Sequence, residues 1–537
     1  MNLKICAAQL DLTVGDAAGN ARRIIDAARQ AHAQGARLLL TPELSICGGP
    51  AAEDLFLRPA FIAACGAAVQ TVARETANLE GMVIAVGHPA SHGERRYAAA
   101  SVICHGQVIA TCAKRGLSVD ERRYFAPGQG GCVFQAGGVH VGLLIGGDAC
   151  LDEPAQAGAQ MLAVMDAWPF YASADHEREL ARRAQACGLP LVCANLAGGQ
   201  DEAVFAGRSL AVSASGQIAG RAPAFEENLF YIQTQQGMCA IELEATLSPQ
   251  QEPDAHLWSA LVLALRGYVR KNGFKDVILG LSGGIDSALV LALAVDALGK
   301  DHVRALMLPS PYTAGISLHD ARDMARRLGV RYDELPIQPQ FESFKSALAA
   351  LLEGRPEDAT EENLQARTRG VLLMALSNKF GALLLTTGNK SEYATGYCTL
   401  YGDTCGGFAP LKDVLKTTVF RLARWRNAHD PFGTGANPIA ERVITRPPSA
   451  ELRPGQTDQD SLPPYEVLDA IIAHHMENGA DSAELLAAGF ARADVEKVLR
   501  LIRASEYKRR QSAPGPIITR CGFGKDWRYP LTHGFRG

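Results

Sequence analysis

No run of apolar residues approaches the roughly 18–20 that a membrane span needs, so no membrane partner is expected. Positive charge is not in excess either. The 53 Lys and Arg against 57 Asp and Glu give a formal net charge of −4, without the electrostatic footprint of a general nucleic-acid binder. The opening MNLKICAAQLDLTVGD has neither a signal peptide's apolar stretch nor an Arg-rich transit pattern, and a cytoplasmic setting is expected. Among the 13 cysteines no CxxC pair occurs, and the closest two, Cys187 and Cys193, stand six residues apart. Zinc sites usually have tighter spacing and disulfide frameworks belong to small secreted domains, so the cysteines read as buried apolar fillers. Solenoid repeats and low-complexity tracts are absent. What remains is an ordinary globular composition, and 537 residues allow roughly two to four domains.

The first half alternates strands with amphipathic helices. Strands are predicted at Lys4–Leu10, Ala36–Leu40, Gly81–Gly87, Ala98–Cys104, Val139–Ile145, Leu189–Asn195 and Arg208–Ser213, with helices at Asn20–Gln34 and around Ala174–Cys187. That order predicts an α/β layered domain. The polar, Pro-containing stretch Glu242–Asp254 predicts a boundary, with one domain over 1–245 and another over 255–537. Beyond it, helix Ala255–Lys271, strand Val277–Leu281, helix Ala288–Leu298, strand Val303–Met307 and helix Leu318–Leu328 repeat the doubly wound parallel pattern. The Pro-, Gly- and Arg-rich segment Thr434–Asp460 reads as a long loop able to cover a site.

The most informative string is Ser282-Gly283-Gly284-Ile285-Asp286-Ser287, between a strand and a helix. Small residues let backbone N–H groups face an anion, and the helix places its positive end there. No Gly-Lys-Ser/Thr ends it, so it is not a Walker A loop. It resembles the pyrophosphate-binding loop of the PP-loop ATP pyrophosphatases, and Asp286 has the hard carboxylate that Mg2+ on a triphosphate takes. Downstream lie Glu362–Arg369 (ENLQARTR) on one predicted helix, then the buried strand Leu383–Leu385 running into Thr386–Glu392 (TTGNKSE) and Gly396–Asp403 (GYCTLYGD).

With SAELRP at Ser449–Pro454 and EYKR at Glu506–Arg509, these strings resemble the NAD+ synthetase family, in the family's order. The resemblance implies ATP-dependent amidation of deamido-NAD+ through an acyl adenylate, releasing AMP and pyrophosphate, with Mg2+ as cofactor. It assigns ATP binding to Ser282, Gly283, Gly284, Ile285, Asp286, Ser287, Thr387 and Lys416. Deamido-NAD+ would be contacted by Asn363, Arg367, Glu392, Asp403 and Lys508, and the metal by Asp286 and Glu392. A PP-loop enzyme acting on tRNA or another acid is the rival enzyme, opposed by the absence of a basic tract. A non-catalytic nucleotide-binding protein is the rival of another class, opposed by Asp286, Glu392, Lys416 and Lys508.

The first half resembles the nitrilase-type amidase of the two-domain, glutamine-dependent members. The matching strings are TPEL at Thr41–Leu44, AEDLFLRPAF at Ala52–Phe61, DERRYFAPG at Asp120–Gly128, GLP at Gly188–Pro190 and GGQDEAVFAG at Gly198–Gly207. The implied fold is a four-layer αββα sandwich, and the implied chemistry a Glu–Lys–Cys triad forming a glutamyl thioester. Glu43 and Lys114 match the first two members, but Gly146 stands in Ile145–Asp148 where the nucleophile belongs. Other glutamine contacts are missing too: Trp168-Pro169-Phe170 replaces a Ser-Pro string, Ala174 a basic residue, and Ala206 an acid. Removing a catalytic nucleophile costs on the order of 10⁶ in kcat. The expectation is therefore an inactive glutaminase, with ammonia arriving from solution or from a separate protein, and the domain kept as scaffold for a homo-oligomer. The alternative is a relocated thiol, Cys150 or Cys47, preserving glutamine dependence.

Overall fold

The computed structural model describes residues 2–148, 157–172, 175–237 and 241–535. Two compact units divide at Gln251 and Glu252, with Tyr171 and Ala172 grouped with the second.

In the first unit two sheets stack face to face. The larger has seven strands, with Lys4–Gln9, Leu38–Leu40 and Val83–His92 parallel at its centre and antiparallel strands outside them. The smaller has six, with Val139–Ile145, Met161–Asp166 and Leu191–Asn195 parallel at its centre. Helices Ala17–Ala33 and Pro59–Glu75 cover the outer face of the first, and His176–Cys187 that of the second. This is the expected αββα sandwich.

Met161–Asp166 shows how the layers choose sequence. Met161, Ala163 and Met165 face the opposing sheet, while Leu162 and Val164 face the helix, so every position is buried. A strand covered on both faces carries no polar alternation, which is why the sequence pattern did not reveal it. The polar stretch that predicts the boundary begins inside a strand. Ile241–Ala245 is an edge strand paired antiparallel to Asn228–Gln236, with Glu242 and Glu244 turned outward.

The second unit carries a four-stranded, wholly parallel sheet in the order Arg331–Glu334, Val303–Met307, Val277–Gly280, Leu383–Leu385. The strand order reverses at Val277–Gly280, so the crevice beyond its carboxyl end, next to that of Leu383–Leu385, is the topological switch point. Both polar strings, Ser282–Ser287 and Thr386–Glu392, leave the sheet there. Helix Ile285–Leu298 is apolar nearly all round, as a helix must be when other elements enclose it. Beyond Asp286 and Ser287 in its first turn, its polar residue is Asp296, whose buried side chain accepts from Arg426 Nε at 2.8 Å and Nη2 at 3.0 Å and from Trp258 Nε1 at 2.8 Å. The pairing ties this helix to Pro253–Lys271 and Lys416–Ala428. Helices Tyr465–Glu477, Ser482–Ala487 and Arg492–Ala504 pack into a separate apolar cluster.

Asp296→Ala would take from the buried Arg426 guanidinium its main counter-charge, leaving Asp430 Oδ1 at 3.4 Å, at a cost of about 3–5 kcal/mol. Denaturant unfolding should show an earlier transition for this variant. The double variant Asp296→Ala/Arg426→Met should recover much of the loss; equal midpoints for wild type and Asp296→Ala would refute the assignment.

Candidate functional sites in the two units

In the second unit Ser282–Ser287 forms a tight turn into a helix whose first N–H groups have no side-chain cap. Gly283 has φ +81°, and a Cβ there would overlap the Ser317 carbonyl oxygen, so only glycine fits. The hydroxyls of Ser282 and Ser287 lie 3.0 Å apart, and the Gly284 N–H donates to Ser282 Oγ at 3.2 Å. Behind the turn, Lys416 Nζ sits 2.5 Å from Asp286 Oδ2 and 3.3 Å from Glu392 Oε1, almost fully buried over the Tyr465 ring. Asn389 holds both acids, donating from Nδ2 to Asp286 Oδ1 at 2.8 Å and sharing a capping box with Glu392.

Burial pushes the Glu392 carboxyl up to about 8; Lys416 pulls it down and Asp286 pushes it up again. Burial alone would lower the Lys416 ammonium, but Asp286 and Glu392 outweigh it and raise it. Two carboxylates already gathered around one cation, beside an anion-binding turn, are oxygen donors of the kind that suits Mg2+ bound to phosphate. The structure thus brings Asp286, Glu392 and Lys416 together, and Ser282–Ser287, Thr387 and Asp403 line the same cavity.

Three residues named from sequence lie outside that lining. Asn363 Oδ1 accepts from Thr399 Oγ1 at 2.7 Å, Arg367 Nε donates to the Leu400 carbonyl at 3.2 Å, and Lys508 Nζ donates to the carbonyls of Gly396 and Cys398, both at 2.7 Å. All three brace the Gly396–Asp403 loop. Arg369, not singled out from sequence, lines the cavity with Ala366 and Leu373. Positions 366, 369 and 373 recur at helical spacing, and Arg367 falls on another face, so the period within ENLQARTR carried the signal. The segment Thr434–Asp460 contributes Arg446, Glu451 and Asp458 to the lining. Glu451 accepts from Ser317 Oγ at 2.6 Å and the Ala314 N–H at 3.2 Å, fixing that segment over the site.

In the first unit Lys114 Nζ is buried between Glu43 Oε1 at 2.9 Å and Glu121 Oε1 at 2.6 Å. Gly146 faces this pair with φ +53°; a Cβ there would overlap Glu43 Oε2 and lie 2.6 Å from Lys114 Nζ. The two side chains fill the space from which a nucleophile at Gly146 would project. Cys47 is buried, and its thiol donates to the carbonyls of Leu44 at 3.1 Å and Gly49 at 3.5 Å. Burial holds its pKa well above the ordinary thiol value, unlike an activated nucleophile. Cys150 and Ala174 lie outside the described residues. Trp168 stacks on His176 at 4.7 Å, and Ala206 is buried.

The two sites and folds define a class: a carbon–nitrogen-hydrolase-like unit followed by a nucleotide-binding ligase unit. The sequence matches the carbon-nitrogen hydrolase family over residues 4–240 and the NAD synthase family over 257–512. A glutamine-dependent NAD(+) synthetase of Xylella fastidiosa (strain Temecula1) is 46% identical, covering 100% of this chain and 99% of that protein. The glutamine-dependent NAD+ synthetase of Acinetobacter baumannii, solved in complex with ADP, is 40% identical with a TM-score of 0.79, covering 99% of this chain and 98% of the other. That of Cytophaga hutchinsonii has a TM-score of 0.84 at 22% identity, with 99% and 98% covered, a likeness of fold alone. The chain belongs to the two-domain, glutamine-dependent NAD+ synthetase family, ligases that form a carbon–nitrogen bond. Among the described residues no helix is long and apolar enough to cross a membrane.

Burial raises the Glu43 carboxyl to about 7 against the pull of Lys114. The folded state therefore holds this proton more tightly than the unfolded chain, and the associated stability is lost as pH rises from about 4.5 towards 7. Denaturant midpoints of wild type should fall relative to Glu43→Gln over that window. Parallel pH profiles for the two proteins would remove Glu43 as the titrating group.

Proposed function

We propose that this chain makes NAD+ from deamido-NAD+ and ATP with free ammonia as its nitrogen donor, its first unit having lost glutaminase activity. The observation that carries the reading is Gly146, where the nucleophile is missing and Glu43 and Lys114 occupy the space in front of it. The relatives' names assign glutamine to those proteins; here the retained Glu43–Lys114 pair has no sulfur to activate at that position.

In the ligase unit the nicotinate carboxylate attacks the α-phosphorus of ATP, giving an acyl adenylate and pyrophosphate; ammonia then displaces AMP. The first step sets a carboxylate against a triphosphate and the second expels anionic AMP, so charge neutralisation and positioning do most of the work. The N–H groups at the start of helix Ile285–Leu298 and the hydroxyls of Ser282 and Ser287 would receive the phosphates, with Thr387 beside them. Mg2+, when bound, supplies charge neutralisation at the phosphates, and Asp286 and Glu392 would hold it. Lys416, resting between those acids, would then pair with phosphate oxygen. Asp403 and Arg369 border the place for the nicotinate half, while Asn363, Arg367 and Lys508 would act on deamido-NAD+ through the loop they brace or by contacting it directly. The reading includes a homo-oligomer in the cytoplasm, with the first unit retained for assembly.

NAD+ formation from ATP, Mg2+ and deamido-NAD+ should proceed with ammonium and fail with glutamine freed of ammonia. Pyrophosphate should appear only when deamido-NAD+ is present, and Asp286→Asn should lower kcat by about 10²–10³. Equal rates with glutamine would overturn the ammonia reading, and Cys150→Ala would then show whether that thiol has taken over.

A further inference from the structure

Three potential ligands outside both sites converge on the helix-covered face of the six-stranded sheet. Asp166 ends the strand Met161–Asp166, Cys193 lies in the neighbouring strand Leu191–Asn195, and His176 opens the helix packed over them. One donor atom from each lies within 4.8 Å of the others, and His176 Nε2 is 3.0 Å from Asp166 Oδ2. Asp166 and Cys193 are buried; His176 is half-buried and gives the group its access.

We propose that Asp166, His176 and Cys193 form a zinc site. One carboxylate oxygen, one imidazole nitrogen and one thiolate sulfur make a borderline-soft donor set, and three protein ligands leave a fourth position for water. Charge supports the choice: with the thiol deprotonated, a dication, a carboxylate, a thiolate and a neutral imidazole sum to zero, which suits a buried position. A protonated His176 would instead set a positive charge at the positive end of its own helix. The ligands are also held from behind. Asp166 Oδ1 accepts from the Ala167 N–H at 2.8 Å, and the His176 ring stacks on Trp168, whose N–H donates to Asn195 Oδ1 at 2.9 Å. Such outer contacts orient ligands before a metal arrives.

Zinc takes cysteine as the thiolate, so binding replaces the Cys193 S–H bond with an S–Zn bond and releases one proton to solvent. The task is structural: the Glu43 N–H donates to the Asp166 carbonyl at 3.3 Å, and the Gly146 N–H to the Met165 carbonyl at 2.7 Å. Zinc would pin the strand end on which the old amidase centre rests.

The full chain, stripped with a chelator, should take up about one equivalent of Co2+ and develop a thiolate-to-cobalt charge-transfer band with tetrahedral d–d absorption. Cys193→Ser should abolish the charge-transfer band, while Cys104→Ser, on the other sheet, should keep it. His176→Gln should weaken Co2+ binding by about 10-fold or more and remove the rise in unfolding temperature that Zn2+ gives the wild type. Absence of the band, its survival in Cys193→Ser, or an unfolding temperature indifferent to Zn2+ in the wild type would overturn the site. NAD+ formation with ammonium is scored separately and does not bear on this result.

Discussion

A cation buried among carboxylates is the constraint on which both units depend. A charge removed from water must be paired, and the pairing fixes whichever elements supply it. Lys416 joins Asp286, at the start of one helix, to Glu392 in another, and so brings two distant strings of sequence to one cavity. Lys390, with no exposure at all, sits 2.8 Å from Asp413 Oδ1 and holds the loop leading to Lys416. Arg426 and Asp296 repeat the device inside the helical layer, and Lys114 repeats it between Glu43 and Glu121.

The two clusters share a construction and differ in what stands beside them. Next to Asp286 and Glu392 lies the start of a helix with no side-chain cap, opening on the cavity that Ser282–Ser287 line. Next to Glu43 and Lys114 lies Gly146, and the ion pair is closed upon itself with no side chain to activate. Paired charge alone does not separate the two clusters; the residue beside each does.

Legibility in the sequence follows how much of the signal is local. Val139–Ile145, Val303–Met307 and Leu383–Leu385 are strands over the ranges their apolar runs predict, because a short buried run between turn residues has few other uses. Met161–Asp166 escaped because both of its faces are covered, and Ile241–Ala245 because its two outward glutamates resemble a linker. Within ENLQARTR the residue types named the helix and Arg367, while helical phase turns Arg369 to the cavity and leaves Arg367 exposed. Spacing along the chain also hides proximity in space. Asp166, His176 and Cys193 are far apart by the standards of a compact zinc motif, yet parallel strand pairing lays Cys193 beside Val164 and so next to Asp166.

By itself the sequence determined the family, the order of the two folds, the anion-binding turn and the absence of sulfur at Gly146, since each is written in contiguous residues whose chemistry is local. Only the tertiary structure decided which side chains share a cavity, that Lys416 rests between two acids, and that Glu43 and Lys114 face Gly146. Those facts depend on distances between segments far apart in the chain. Burial sets their energetics as well, raising Glu392 and Glu43 towards neutrality in a way no string of letters records.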